Sequence, residues 1–171
     1  GYVDDKTPRP ELDALKLRFA TLCFSTERFD EAFAAADELV QNRPDFADAP
    51  QAATVALRAL QASNAKLRAD AADDATLDAA AAKLAEYAAY VVERWSAATD
   101  AASVAVVQEA ALVRTDAAVA SGDLDGARAL LEQIPENSPR RAFPSVFFSS
   151  NIVLLPFSYK THIASPNEKN R

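Results

Sequence analysis

Few side chains in this 171-residue sequence are suited to acid–base or nucleophilic chemistry. There is one histidine, His162, and one cysteine, Cys23, so a Ser–His–Asp or Cys–His arrangement would need His162 as its base. No candidate nucleophile lies near His162 in the sequence. Cys23 stands in an apolar run, which is typical of a small buried side chain. We therefore expect no catalytic residue in this chain.

Motifs for metals and cofactors are also missing. Zinc sites need clusters of Cys and His, and the acidic runs 70–78 and 123–125 lack the glycine and closing glutamate of a calcium loop. The three glycines, Gly1, Gly122 and Gly126, cannot build a Gly-rich phosphate loop. We expect neither a metal site nor a bound cofactor.

Charge and hydropathy narrow the class of partner. The chain has 18 Lys and Arg against 25 Asp and Glu, a net charge of −7, and its only adjacent basic pair is Arg140–Arg141. Nucleic acid is disfavoured as a partner because phosphate binding needs clustered cations. No apolar run reaches the ~18 residues of a membrane helix, so we expect no membrane insertion. Because the chain begins with Gly1 and not Met, we expect it to belong to a longer protein. Its compartment stays open between a bacterial cytoplasm and, if the full-length protein is exported, a periplasm.

Composition and periodicity predict helices. Counting gives 39 Ala against 3 Gly and no Met, which favours packed α-helices. Apolar residues recur at steps of 3 and 4, and no strand pattern occurs before residue 142. Six helices are predicted, and short loops should make them three antiparallel pairs. The predicted helices span about 11–24, 27–43, 49–69, 75–95, 100–121 and 124–134.

Several helix ends have recognisable signals. Ser25 and Thr26 are expected to cap the second helix, and Asp48 the third. Gly122 suits a left-handed residue at the end of the fifth helix, and Asp123 suits the N-cap of the sixth.

The predicted second and sixth helices carry small and large apolar residues at the same steps, and a proline follows at the same distance in both. The steps are 3, 4, 3 and 5 in both, through Phe29, Ala32, Ala36, Leu39 and Pro44, and through Leu124, Ala127, Leu131, Ile134 and Pro139. This pattern resembles the second helix of the tetratricopeptide repeat family. The resemblance implies an all-α fold over residues 11–139, with three antiparallel helix pairs stacked as a right-handed solenoid.

The sequence also departs from that family. The first helices lack the glycine and tyrosine of the family pattern, and the middle pair aligns loosely. The closing positions Pro44, Ser96 and Pro139 are 52 and 43 residues apart, against about 34 in the family. The alternative is an Ala-rich helical bundle whose helices have converged on common spacings.

By the resemblance, the first helix of each pair lines a concave surface. The candidate partner-binding positions are Ala14, Leu17, Thr21, Phe24, Glu109, Leu112, Asp116 and Val119. This mixture of apolar and acidic residues suits a basic or amphipathic peptide. The sequence therefore favours a non-catalytic interaction or scaffold module of a larger bacterial protein.

Other functions stay open. The chain could be a structural or oligomerising helical bundle, or an accessory domain of an enzyme whose chemistry lies elsewhere. The concave surface could merely space flanking domains. Tyr87, Tyr90 and Trp95 share a helix and could anchor a peptide, although packing within the domain is the favoured interpretation.

The two ends differ from the helical body. Residues 1–10 are a polar, proline-containing lead-in, and residues 140–171 form an atypical tail. Only one alanine, Ala164, follows Ala142, whereas five of the 14 aromatic residues do. Our hypothesis is that residues from about 143 onward are not native to the domain and arise from a vector, a frameshift or an error in defining the gene. The alternative is a genuine apolar extension that docks on the helices or pairs as a strand.

The tail hypothesis predicts a result at the level of the gene. If the reading frame shifts near residue 142, one of the other two frames should continue past Arg141 as an Ala-rich, helix-forming sequence. Resequencing the gene and translating all three frames checks this. The absence of such a frame would show that the tail is genuine.

Overall fold

The computed structural model describes residues 10–43, 45–132 and 134, and these form six α-helices. No strand occurs among the described residues, so the all-α prediction is confirmed. The predicted helix boundaries are correct to within a few residues. The helices are α1 (Pro10–Ser25), α2 (Phe29–Asn42), α3 (Ala49–Ala69), α4 (Asp74–Trp95), α5 (Ala101–Ala120) and α6 (Leu124–Glu132).

The order of packing follows the order of the chain. Each helix packs against the next, and in addition α1 contacts α3 and α3 contacts α5. The central helix α3 meets α2 through a row of alanines, since Ala52, Ala53 and Ala56 are fully buried in one cluster with Ala36 of α2. Small side chains let two helices approach closely, so this row brings α2 against α3.

Larger side chains fill the space on either side of the alanine row. Leu39 and Val40 of α2, Leu57 of α3 and Val91 of α4 are at most 1% exposed and lie in the same cluster. Val106 of α5 completes this core. A separate small cluster joins α5 to the residues at the end of α6, through Ala111, Leu112 and Ile134.

Acidic caps open three of the helices. The Asp73 carboxylate accepts a hydrogen bond from the Thr76 backbone N–H, and Asp100 accepts one from Ser103. These bonds hold the pKa of both carboxyls below its ordinary value, because they favour the charged form. Asp123 accepts from the Gly126 N–H at 2.9 Å, which confirms the predicted N-cap of α6.

Two predicted caps are not formed by their side chains. Ser25 and Thr26 donate their hydroxyls back to the Leu22 carbonyl, so they close α1 and do not open α2. α3 does begin just after Asp48, as predicted, but that side chain makes no capping bond. Hydroxyl side chains bond local carbonyls as readily as they cap the next helix, and sequence alone does not distinguish the two.

α1, α3 and α5 end in the same hydrogen-bonded turn. At the end of α5, the Gly122 N–H donates to Val119 O and the Asp123 N–H to Ala118 O, which is a Schellman motif. The corresponding residues after α1 and α3 make the same two bonds. A residue with positive φ lies at the same point of each turn: Glu27 (60°), Ala71 (54°) and Gly122 (81°). The left-handed conformation predicted for Gly122 is confirmed.

The common turn predicts that replacing glycine by alanine, and alanine by glycine, at equivalent positions should change the free energy of unfolding in opposite directions. A Cβ at Gly122 would meet no atom within 4 Å, so Gly122→Ala should lower the free energy of unfolding by about 1–2 kcal/mol through backbone strain alone. Ala71→Gly should raise it by up to about 1 kcal/mol, because the strain is removed.

Ala69→Gly is the matched control, because Ala69 has ordinary helical geometry in the last turn of α3. That substitution should lower the free energy of unfolding by about 1 kcal/mol. Urea unfolding followed by circular dichroism measures all three variants. A loss of stability in Ala71→Gly would contradict the shared turn.

Candidate functional site

An open depression lies where α1 meets the residues that lead into α3. Its volume is about 380 Å³, and its lining includes three of the residues predicted from sequence, Ala14, Leu17 and Thr21. Arg18 and Asp48 complete the lining. Ala14 and Leu17 are half-buried, whereas Thr21 and Arg18 are exposed. The depression therefore has an apolar part and two oppositely charged side chains.

The fourth predicted residue of α1, Phe24, contributes to internal packing. Its ring centre is 5.7 Å from that of Phe29 at the start of α2. It also packs on a small cluster in which Cys23 and Ala32 meet Ala59 of α3. Cys23 is fully buried there, as the sequence predicted for a small apolar side chain.

An ion pair between an exposed arginine and a buried glutamate connects α3 to α5. Arg58 Nε donates to Glu109 Oε1 at 2.9 Å, and Arg58 Nη2 donates to Glu109 Oε2 at 3.3 Å. The Glu109 side chain is 10% exposed and that of Arg58 is 48% exposed. The hydrogen bond to Glu109 raises the pKa of the Arg58 guanidinium above its ordinary value. The negative charge predicted for the concave surface at Glu109 is therefore balanced within the domain.

The other predicted positions on α5 differ in how deeply they are buried. Leu112 is buried in the cluster with Ile134, so it stabilises the contact between α5 and the end of α6. Asp116 and Val119 are half-buried, further along the same helix. The structure thus brings Ala14, Leu17 and Thr21 to one depression and places Leu112 in the domain's own core.

The aromatic residues of α4 pack inside the domain. Tyr87 is buried with its ring edge-on to Phe33 of α2, at 5.4 Å between ring centres, and 5.9 Å from Tyr90. Burial raises the pKa of the Tyr87 phenol, and the nearby Asp37 carboxylate raises it further. Trp95 is partly buried against the same core. These contacts support the packing interpretation of the α4 aromatic residues.

Over residues 10–43, 45–132 and 134, the structure contains no group of three or more His, Cys, Asp and Glu residues that could hold a metal ion. In this part of the chain no helix combines the length and the apolar character that crossing a membrane requires. His162 and residues 140–171 lie outside the described residues.

Sequence reasoning missed three charged residues that lie beside the candidate positions. Arg18 and Asp48 line the depression, and Arg58 pairs with Glu109. The sequence pattern indicates a helix cap at Asp48, and the middle helix pair aligns too loosely with the family pattern to place Arg58 on the predicted surface. Arg58 and Glu109 are 51 residues apart in the chain, and no periodicity signals such a pair.

Comparison of the chain with models of known protein families, with curated protein sequences and with solved structures finds no match.

The Arg58–Glu109 pair predicts a measurable coupling between α3 and α5. Arg58→Ala should lower the free energy of unfolding by about 1–2 kcal/mol, because the buried carboxylate loses this partner. When Arg58→Ala is combined with Glu109→Gln in a double-mutant cycle, the coupling energy between the two side chains should be about 1 kcal/mol.

The exposed pair Lys16–Glu38 between α1 and α2 is the control for this cycle. Its coupling should be at most about 0.5 kcal/mol, because solvent screens exposed charges. Urea unfolding of the single and double variants gives both energies. Equal coupling in the two pairs would contradict the importance of burial at Glu109.

Proposed function

We propose that this domain is a non-catalytic interaction module of a larger bacterial protein, and that it binds a partner segment on the face formed by α1, α3 and α5. The observation that carries the proposal is the succession of contacts from α1 to α3 to α5. These three helices supply one continuous surface, because each is the direct neighbour of the next.

The proposed architecture is three antiparallel helix pairs in a right-handed solenoid similar to tetratricopeptide repeats. Two features support a repeated unit. The turns after α1, α3 and α5 make the same hydrogen bonds. Two pairs of residues 95 apart are buried alike, since Ala32 and Ala127 are at most 4% exposed and Leu39 and Ile134 are each 1% exposed.

The third helix adds residues that the sequence left unassigned. Arg58 is exposed on α3, and Gln51, Val55 and Ala62 share its side of the helix because they are 7, 3 and 4 residues away. Val55 packs against the main core, as does Leu17 of α1. Because α3 contacts both α1 and α5, we place the proposed binding face across these three helices, from the depression on α1 to the Arg58–Glu109 pair.

The chemistry of this face favours an amphipathic partner segment. The depression offers apolar contact at Leu17 and one charge of each sign at Arg18 and Asp48. The charge of Glu109 is compensated by Arg58. With little uncompensated negative charge, apolar contact supplies most of the binding energy, and the charges orient the partner.

Site-specific photo-crosslinking tests the proposed face. A benzophenone-bearing amino acid at Thr21, in the depression, should cross-link a discrete partner protein in cells. The same residue at Ala82, which is exposed on α4, should not. Mass spectrometry of the cross-linked peptide then identifies the partner segment.

Calorimetry with the identified segment provides the second step. Thr21→Glu should weaken its binding to the purified chain about tenfold or more, because the change buries a charge against an apolar surface. Ala82→Glu should leave the affinity unchanged. Identical cross-links at the two positions, or an affinity unaffected by Thr21→Glu, would refute binding at this face.

A further inference from the structure

The depression on α1 carries two charges that the described part of the chain leaves unpaired. Arg18 contributes from α1, and Asp48 from the position just before α3. Neither side chain makes an ion pair or a hydrogen bond with another described residue, and the two are not paired with each other. By contrast, Asp13 and Lys16 of the same helix are both engaged in ion pairs, with N–O distances of 2.9 and 2.6 Å. The depression thus holds one free charge of each sign.

Asp48 lies at the N-cap position of α3 but does not cap it. Asp73 and Asp100 cap α4 and α5 with their carboxylates, and their ψ angles of 157° and 151° are the extended values that such caps adopt. Asp48 has a ψ angle of 18°, and its carboxylate accepts no bond from α3. An N-cap carboxylate ordinarily stabilises its own helix, so this backbone leaves the Asp48 carboxylate available to a group from outside the domain.

The rest of the lining is apolar or already bonded. Ala14 and Leu17 are half-buried and have no polar side-chain atom. The Thr21 hydroxyl donates to the Leu17 carbonyl at 2.9 Å, so its proton is used within α1. The lining side chains therefore offer a ligand one apolar surface, one cationic donor at Arg18 and one anionic acceptor at Asp48.

We propose that the partner segment bound at this depression carries one large apolar side chain together with an acidic and a basic residue, the acidic residue pairing with Arg18 and the basic residue with Asp48. This inference rests on the proposed function and specifies its partner. A segment with basic residues alone would place a like charge against Arg18. A fully apolar segment would cover both charges without pairing either, which opposes binding. Two pairs of opposite sign also fix the direction in which the segment lies.

Peptide display against the full chain tests this inference. A library of random dodecapeptides is selected on the purified chain, and peptides that also bind the Thr21→Glu variant are removed. The remaining peptides should combine an acidic, a basic and a large apolar residue in one fixed order. Calorimetry should show that each binds at least tenfold more weakly to a chain in which Arg18→Asp and Asp48→Arg are combined, because both pairs become repulsive.

A second exchange of charges provides the matched control. Lys66→Asp with Asp78→Lys also preserves the net charge, and it changes exposed residues of α3 and α4 that do not line the depression. This variant should bind the peptides with unchanged affinity. Neutral single substitutions separate recognition from folding, which circular dichroism checks in every variant. Selection on Asp48→Asn should no longer enrich a basic residue, and selection on Arg18→Gln should no longer enrich an acidic one.

Three results would overturn the inference. Thr21-dependent peptides that bind the chain with exchanged charges at unchanged affinity would show that Arg18 and Asp48 take no part in recognition, although the binding face itself would stand. Enrichment of peptides with basic residues alone would contradict the pairing at Arg18. A selection that yields no Thr21-dependent peptide would overturn the binding face, and this inference with it.

Discussion

The alanine contact between α2 and α3 determines the arrangement of the other helices. Ala36 lies in one cluster with Ala52, Ala53 and Ala56, all fully buried, and small side chains at these positions let the two helices approach closely. With α2 held this close, α3 also contacts α1 and α5. A larger residue in the row would push α2 outward and would disturb both the depression on α1 and the reach of Arg58 to Glu109.

Each side of α1 has a different structural role. Ala20 and Cys23 are buried and hold the helix in the domain. Thr21, with Ala14 and Leu17, faces the depression. A further side carries the exposed apolar residues Leu12, Leu15, Phe19 and Leu22. A single sixteen-residue helix therefore connects the core to two surfaces of different chemistry.

The sequence predicts local features well because they depend on neighbouring residues. The six helices follow from alanine content and apolar spacing, and Asp100, Gly122 and Asp123 act at the helix ends as their residue types require. The misplaced caps, Ser25 and Thr26, show the limit of this reasoning, since a hydroxyl can bond to either side of a turn.

Features of the candidate site were harder to predict because they join distant parts of the chain. Whether Leu112 faces a groove or the core depends on Ile134, 22 residues later, and the charge at Glu109 depends on Arg58. The family resemblance predicts the concave surface from the first helix of each pair, taken by itself. Contacts between helices decide which of those residues a partner can reach.

Cys23 gives the domain a built-in reporter of its own fluctuations. It is the only thiol in the sequence, and it is fully buried where α1 and α2 meet α3. An alkylating reagent reaches its sulfur only when these helices separate, so the alkylation rate under native conditions measures how often the amino-terminal end of the domain opens. The unaltered protein thus allows local opening to be timed separately from global unfolding.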